Sequence, residues 1–100
     1  MWLIVMFDMP TKTDVQRKRA TRLRTGLAGL GFERLQFSVY CRRCPGLART
    51  MENRVGRLKI GGDTSERVAV VQMTDDQFAA IQFVGARLDS AHKFGSLVVI

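Results

Sequence analysis

Three groups of side chains in this chain have the types and spacing to do chemistry. The first is a single carboxylate, Asp8, which ends the uninterrupted apolar run Trp2 to Phe7. A lone acid in that setting is costly to bury unless it is paired, hydrogen-bonded or holding a metal. It reads either as a turn acid that accepts from backbone N–H groups, or as a site acid at the C-terminal edge of a central strand, where sheets often place ligands. The second group is basic: Arg17, Lys18, Arg19, Arg22 and Arg24, joined further on by Arg42 and Arg43. Five like charges within eight residues repel one another, and no acid on that segment beyond Asp14 offsets them, so the arrangement favours a bound polyanion. A merely solvated face usually carries interspersed glutamate. The third group is Cys41 and Cys44, in the spacing C-R-R-C. One such pair is half of a four-ligand zinc site, and Pro45 and Gly46 follow where a redox pair would open a helix. Two reduced thiols are the expected state.

Each group needs an element to hold it. Trp2 to Phe7, bounded by Pro10, reads as a strand buried on both faces. Val15 to Leu30 reads as a helix capped by Thr13 or Asp14, with Ala20, Leu23, Leu27 and Leu30 as its apolar stripe and Gly31 as its stop. Phe32 to Arg43 alternates with period two, as one long strand or as two short ones bent near Phe37 and Ser38. Leu47 to Lys59 reads as a second helix with Ala48, Met51, Val55 and Leu58 on one side. Gly61, Gly62 and Asp63 make a turn, and Arg67 to Met73 is a further strand. Thr74 or Asp75 caps a short element. Phe78 to Phe83 suits either a strand or a helical turn, Gly85 to Gly95 is irregular, and Leu97 to Ile100 is a terminal strand. Four apolar residues with no partner left in sequence are an aggregation hazard, so a second subunit is the natural partner.

The order is that of an α+β domain, a ferredoxin-like β-α-β-β-α-β sandwich with two helices on one face of an antiparallel sheet. One hundred residues at 46% hydrophobic make one domain, 1–100, in which 78–100 form a C-terminal tail. The other sheet face needs cover, and a homodimer packed sheet on sheet is the simplest. No apolar run approaches the ~20 residues of a membrane span, and the first run lacks the length and basic flank of a signal peptide. The expected compartment is the cytoplasm, with no membrane partner. The net charge of +7 is uneven: residues 1–59 carry 13 Lys or Arg against 4 Asp or Glu, and residues 60–100 carry 3 against 5. Arginine, the better bidentate phosphate ligand, outnumbers lysine twelve to four. Nucleic acid is the expected polyanion.

A strand ending in F-D-M-P (Phe7 to Pro10), a helix carrying R-K-R-A-T-R-L-R and then L-Q-F-S-V-Y (Leu35 to Tyr40) together resemble the CRISPR-associated Cas-two family. T-D-D-Q-F after the last main strand looks like the branch that accompanies single-effector CRISPR systems. The resemblance implies a homodimer of ferredoxin-like subunits whose C-terminal strand crosses to the partner's sheet. It maps the family's catalytic, metal-binding acid onto Asp8, facing its twin at the interface. One Mg²⁺ or Mn²⁺ per dimer would then lie between the two Asp8 side chains, and a metal-bound water could attack a phosphodiester while Arg17 or Arg19 steadies the phosphate. Phe7 stands where the family often has Tyr, and Tyr40 where it has Phe. Two functions follow from the resemblance. One is spacer acquisition, in which the dimer bridges dimers of the Cas-one integrase and holds double-stranded DNA through Arg17, Lys18, Arg19, Arg22, Arg24, Arg42 and Arg43. The other is a metal-dependent endonuclease on single-stranded RNA or double-stranded DNA. Chemistry favours the first, because one acid with no histidine or second acid in its motif makes a poor hydrolytic site. Without the resemblance, a ferredoxin-like RNA-binding module or a toxin-type ribonuclease also fits.

Overall fold

The computed structural model describes residues 1–46, 48–58 and 66–84, together with the backbone of 98–99. Strand β1 (Trp2–Asp8) lies inside a four-stranded antiparallel sheet with β2 (Glu33–Gln36), β3 (Val39–Arg43) and β4 (Arg67–Met73), in the order β2-β3-β1-β4. Helices α1 (Asp14–Gly29) and α2 (Ala48–Gly56) make the two crossovers, which gives the ferredoxin-like arrangement. The short α3 (Asp75–Ala79) follows β4, and β5 (Gln82–Phe83) pairs in parallel with β6 (Val98–Val99). The terminal strand therefore has a partner inside the chain, where the sequence suggested one from a second subunit. Gly61 to Asp63, Gly85 to Gly95, Leu97 and Ile100 lie outside the described residues.

β1 separates two apolar clusters, as the period of two requires. Leu3, Val5 and Phe7 point to the helices and pack with Leu23 and Leu27 of α1 and Met51 and Val55 of α2. Ile4 points the other way and packs with Cys41, Phe78 and Phe83, flanked by Trp2 and Met73. The stripe read from α1 is the buried one: Ala20, Leu23 and Leu27 are at most 2% exposed. The helix starts with a capping box in which Thr13 Oγ1 accepts from Gln16 N at 3.1 Å and Gln16 Oε1 accepts from Thr13 N at 3.0 Å; such a cap is worth about 1 kcal/mol. Gly31, at φ +86°, turns the chain after the helix, where a side chain would be strained and would meet Arg42 Nε at 2.9 Å.

The second β region is two strands, bent at Phe37 and Ser38, and Phe37 stands 69% exposed at the tip. The break removes the single-strand alternation expected of Leu35, Phe37, Val39 and Cys41. Phe78 to Phe83 resolves into both alternatives in turn, the end of α3 and then β5. Burial of β1 on both faces is only partial. The far face is covered at its Trp2 and Ile4 end but opens toward Met6, which is 40% exposed, and Asp8. Met6, Val39, Ala69 and Val71 share that open region by cross-strand register. Neither sheet margin has a further neighbour among the described residues. The β2 margin is short, charged and interrupted by a register shift, whereas the β4 margin is seven residues of regular ladder.

A clamp ties the start of the chain to α3. Trp2 stacks on Phe78 with ring centroids 3.7 Å apart and planes 5° from parallel. Beside it Asp75 pairs with the Met1 ammonium at 3.5 Å and with Arg43 at 3.3 Å. Partial desolvation pushes the Asp75 carboxyl up, but the Arg43 hydrogen bond and the two positive charges outweigh it and hold the group below the usual carboxylate range. A carboxyl depressed on folding stabilises fully above the unfolded Asp value of about 3.9, and the contribution disappears as pH falls through the folded value. Acid titration of Trp2 fluorescence, the chain's only tryptophan, is expected to show a step below that value. Asp75→Asn should abolish the step, and an unchanged step would rule the clamp out.

Candidate nucleic-acid interface and the Asp8 site

The seven basic residues singled out from the sequence do not form one surface with one role. Arg17 pairs with Asp14 and donates to the carbonyls of Thr11 and Lys12, each at 3.1 Å, so it braces the loop leading into α1. Arg19 reaches Glu66 at 3.3 Å. The Glu66 side chain is only 4% exposed, and its Oε2 finds no hydrogen-bond partner among the described residues; taking Arg19 away would therefore leave a buried charge uncompensated. Arg24 lies over Phe37 at 4.6 Å and Phe7 at 5.5 Å, capping the edge of the core by cation–π contact. Arg42 contacts Cys44 Sγ at 3.6 Å, and Arg43 is held by Asp75. Lys18 and Arg22 have no acid partner among the described residues.

These two free cations line a groove of about 950 Å³ between α1 and the end of α2, which also presents Thr21, Thr25 and Arg57. Arg57 was legible only as one of three arginines on the second helix. What places it here is Gly26, where a Cβ would come within 2.8 Å of Leu58 Cδ2. The missing side chain lets the end of α2 settle against α1 and brings Arg57 to the basic face. A glycine inside the helical pattern is the one sequence signal for such an approach. Among the described residues the only acid lining the groove is Asp14, which is taken by Arg17. Backbone phosphates need this kind of surface: several cations without counter-charges, and hydroxyl donors between them.

Asp8 lies on the other side of the sheet. By the alternation of β1 it shares the face of Trp2, Ile4 and Met6, away from both helices, and it is exposed at the strand end. Arg17 and Arg19, expected to steady a phosphate beside Asp8, are instead occupied by their own acceptors on the helical face. Directly across the β1–β4 ladder stands Arg67. The two charged residues share a hollow of about 300 Å³ with Met6, Phe7, Val68 and Ala69. Among the described residues no three or more His, Cys, Asp or Glu side chains gather as a metal site. Asp8 supplies the oxygen ligand that Mg²⁺ prefers, but one carboxylate with an arginine as its cross-strand neighbour does not by itself fit a resident divalent ion. Cys41, in β3, and Cys44, just after it, form no disulfide and are buried in the second and first apolar clusters respectively, so the C-R-R-C spacing builds no shared site.

Residues 1–81, which hold this sheet and both long helices, are matched by a family model described as CRISPR associated protein Cas2. The chain belongs to the Cas2 family. Its relatives include the CRISPR-associated endoribonuclease Cas2 of Paracidovorax avenae, 41% identical over 97 residues that cover 93% of this chain and 86% of the relative. Another, of the same name, is from Parvibaculum lavamentivorans, 38% identical over 88 residues, covering 87% and 86%. Among solved structures, the crystal structure of Streptococcus pyogenes Cas2 at pH 6.5 has the same fold, with a TM-score of 0.56 at 20% identity over 76% of this chain and 89% of that one. No helix among the described residues of this Cas2 chain is long and apolar enough to cross a membrane.

Proposed function

We propose that this chain works in CRISPR spacer acquisition, as a cytoplasmic homodimer that holds double-stranded DNA on its helical face and bridges two dimers of the Cas1 integrase. The observation that carries the reading is the groove of Lys18, Arg22 and Arg57, in which three cations have no acid partner among the described residues. Family membership supplies the CRISPR context. The open sheet face around Met6, Val39, Ala69 and Val71 supports the dimer, because an apolar surface of this kind is stabilised by a second copy of itself. Phosphate contacts from such a groove fix position on a duplex without reading its sequence, which suits a protein that must accept DNA of any sequence.

A second reading, a nuclease acting on RNA or DNA, is favoured by the name of the relatives, endoribonuclease, and by the exposure of Asp8 at a strand end. Asp8→Asn separates the two. The bridging reading expects the variant to bind duplex DNA and support integration as the parent does, and lost integration in a folded dimer would sink it. The nuclease reading expects phosphodiester cleavage that requires Asp8. Cleavage that survives the substitution would come from elsewhere.

A further inference from the structure

We infer that Glu66 limits how tightly the basic groove holds DNA, by withholding the charge of Arg19 from it. The inference rests on the DNA-holding reading and names the residue that regulates that surface. Arg19 is itself part of the groove lining, with Lys18, Arg22 and Arg57. Its guanidinium is not available as their charges are. Arg19 Nη1 donates to Glu66 Oε1 at 3.3 Å, and the Arg19 side chain is 36% exposed where that of Glu66 is 4% exposed. The acid is thus the inner member of the pair and the cation the outer one. The other paired arginine of the groove, Arg17, differs in this respect. Its partner Asp14 is at the surface, and exposed pairs are worth little and are screened by salt.

The pair is poorly made for stability alone. Glu66 Oε2 finds no hydrogen-bond partner among the described residues, and a buried ion pair with an unsatisfied oxygen recovers little of the cost of drying its charges. What the pair does change is the field above it. A carboxylate 3.3 Å from the guanidinium cancels much of that charge at the distance of a bound phosphate, and it repels the phosphate itself. Arg19 has further N–H groups to offer. A phosphate can claim its full charge only by drawing it away from Glu66, which would leave the buried carboxylate uncompensated. The groove thus presents Lys18, Arg22 and Arg57 at full charge and holds Arg19 back. A protein that grips DNA only to pass it on gains from this, because a phosphate contact withheld weakens the hold and speeds release.

The test is duplex-DNA binding by the full chain at several salt concentrations. Glu66→Gln keeps the shape and an oxygen acceptor for Arg19 while removing the charge. It is expected to bind about fivefold more tightly near physiological salt, with the slope of log K against log salt steeper by about one, as one added phosphate contact requires. Adding Arg19→Gln to it should return both to the parent values. Asp76→Asn, which removes the same charge from an exposed position on α3, should leave both unchanged. If circular dichroism shows that Glu66→Gln does not fold, Glu66→Met takes its place with the same expectations. Affinity and slope unmoved by removal of the Glu66 charge would overturn the inference. So would a gain that survives Arg19→Gln, or one matched by Asp76→Asn. In each of those cases the parent still binds DNA and the DNA-holding reading stands. A parent with no salt-dependent binding would overturn that reading, and this inference with it.

Discussion

Replacing Lys18, Arg22 and Arg57 together by Gln is expected to weaken binding to duplex DNA by about 100-fold near physiological salt, equally for any sequence. The size follows from counterion release. Each phosphate contact contributes close to one unit of slope in log K against log salt, or about 1 kcal/mol near 0.15 M, so three contacts amount to about 3 kcal/mol. The slope itself should fall by about one for each contact removed, which distinguishes lost phosphate contacts from general damage. Charge reversal to Glu at the same positions should have a larger effect in the same direction. These three positions make the clean experiment because none of them holds the protein together: Lys18 and Arg22 have no acid partner among the described residues, and Arg57 is exposed beside them. Arg19 does not qualify, because its loss strands the buried Glu66 carboxylate. Arg17 and Arg43 are similarly occupied by Asp14 and Asp75. Electrophoretic or fluorescence binding curves at two salt concentrations suffice, and an unchanged affinity in the triple variant would remove the groove from the DNA interface.

Leu27→Ala should cost about 3 kcal/mol of stability, from within the 2–5 kcal/mol range of buried leucine truncations. Leu27 is fully buried in the cluster with Leu3, Val5 and Phe7 and the inner faces of both helices. The truncation removes its transfer free energy and leaves a void that helix and sheet close only in part. Against a total of about 5–15 kcal/mol for a domain, the loss should lower the denaturation midpoint markedly and raise the unfolded fraction at growth temperature. Val15→Ala, on the same helix but 60% exposed, should change stability by no more than about 0.5 kcal/mol. Chemical denaturation of the three proteins checks the contrast, and equal midpoints for Leu27→Ala and Val15→Ala would contradict the packing described.

Local periodicity made much of this fold legible. The stripe Ala20, Leu23, Leu27 and the strand Arg67 to Met73 follow from spacing alone, because 3.6 and 2 are imposed by the backbone. The cap at Thr13 is likewise a short-range signal. What spacing cannot show is which distant residues meet. Comparing the charges of the two halves concealed that acids of the second half, Glu66 and Asp75, are partners of Arg19 and Arg43 in the first. The position of Arg67 opposite Asp8 depends on the register of two strands about sixty residues apart in the chain, which no local pattern sets. Arg57 reaches the groove through a single close approach at Gly26. The candidate site was thus readable as a set of residue types, and the division of those residues between structure and binding was not.

The unequal margins of the sheet set a limit on growth. Polymerisation into a ribbon needs two sticky borders, one to receive the next molecule and one to offer. The border formed by Glu33–Gln36 is blunted by charge and by its irregular pairing, while the one formed by Arg67–Met73 is long and regular. Ribbon growth, which needs both borders, is disfavoured by the β2 border whichever surface a second copy uses.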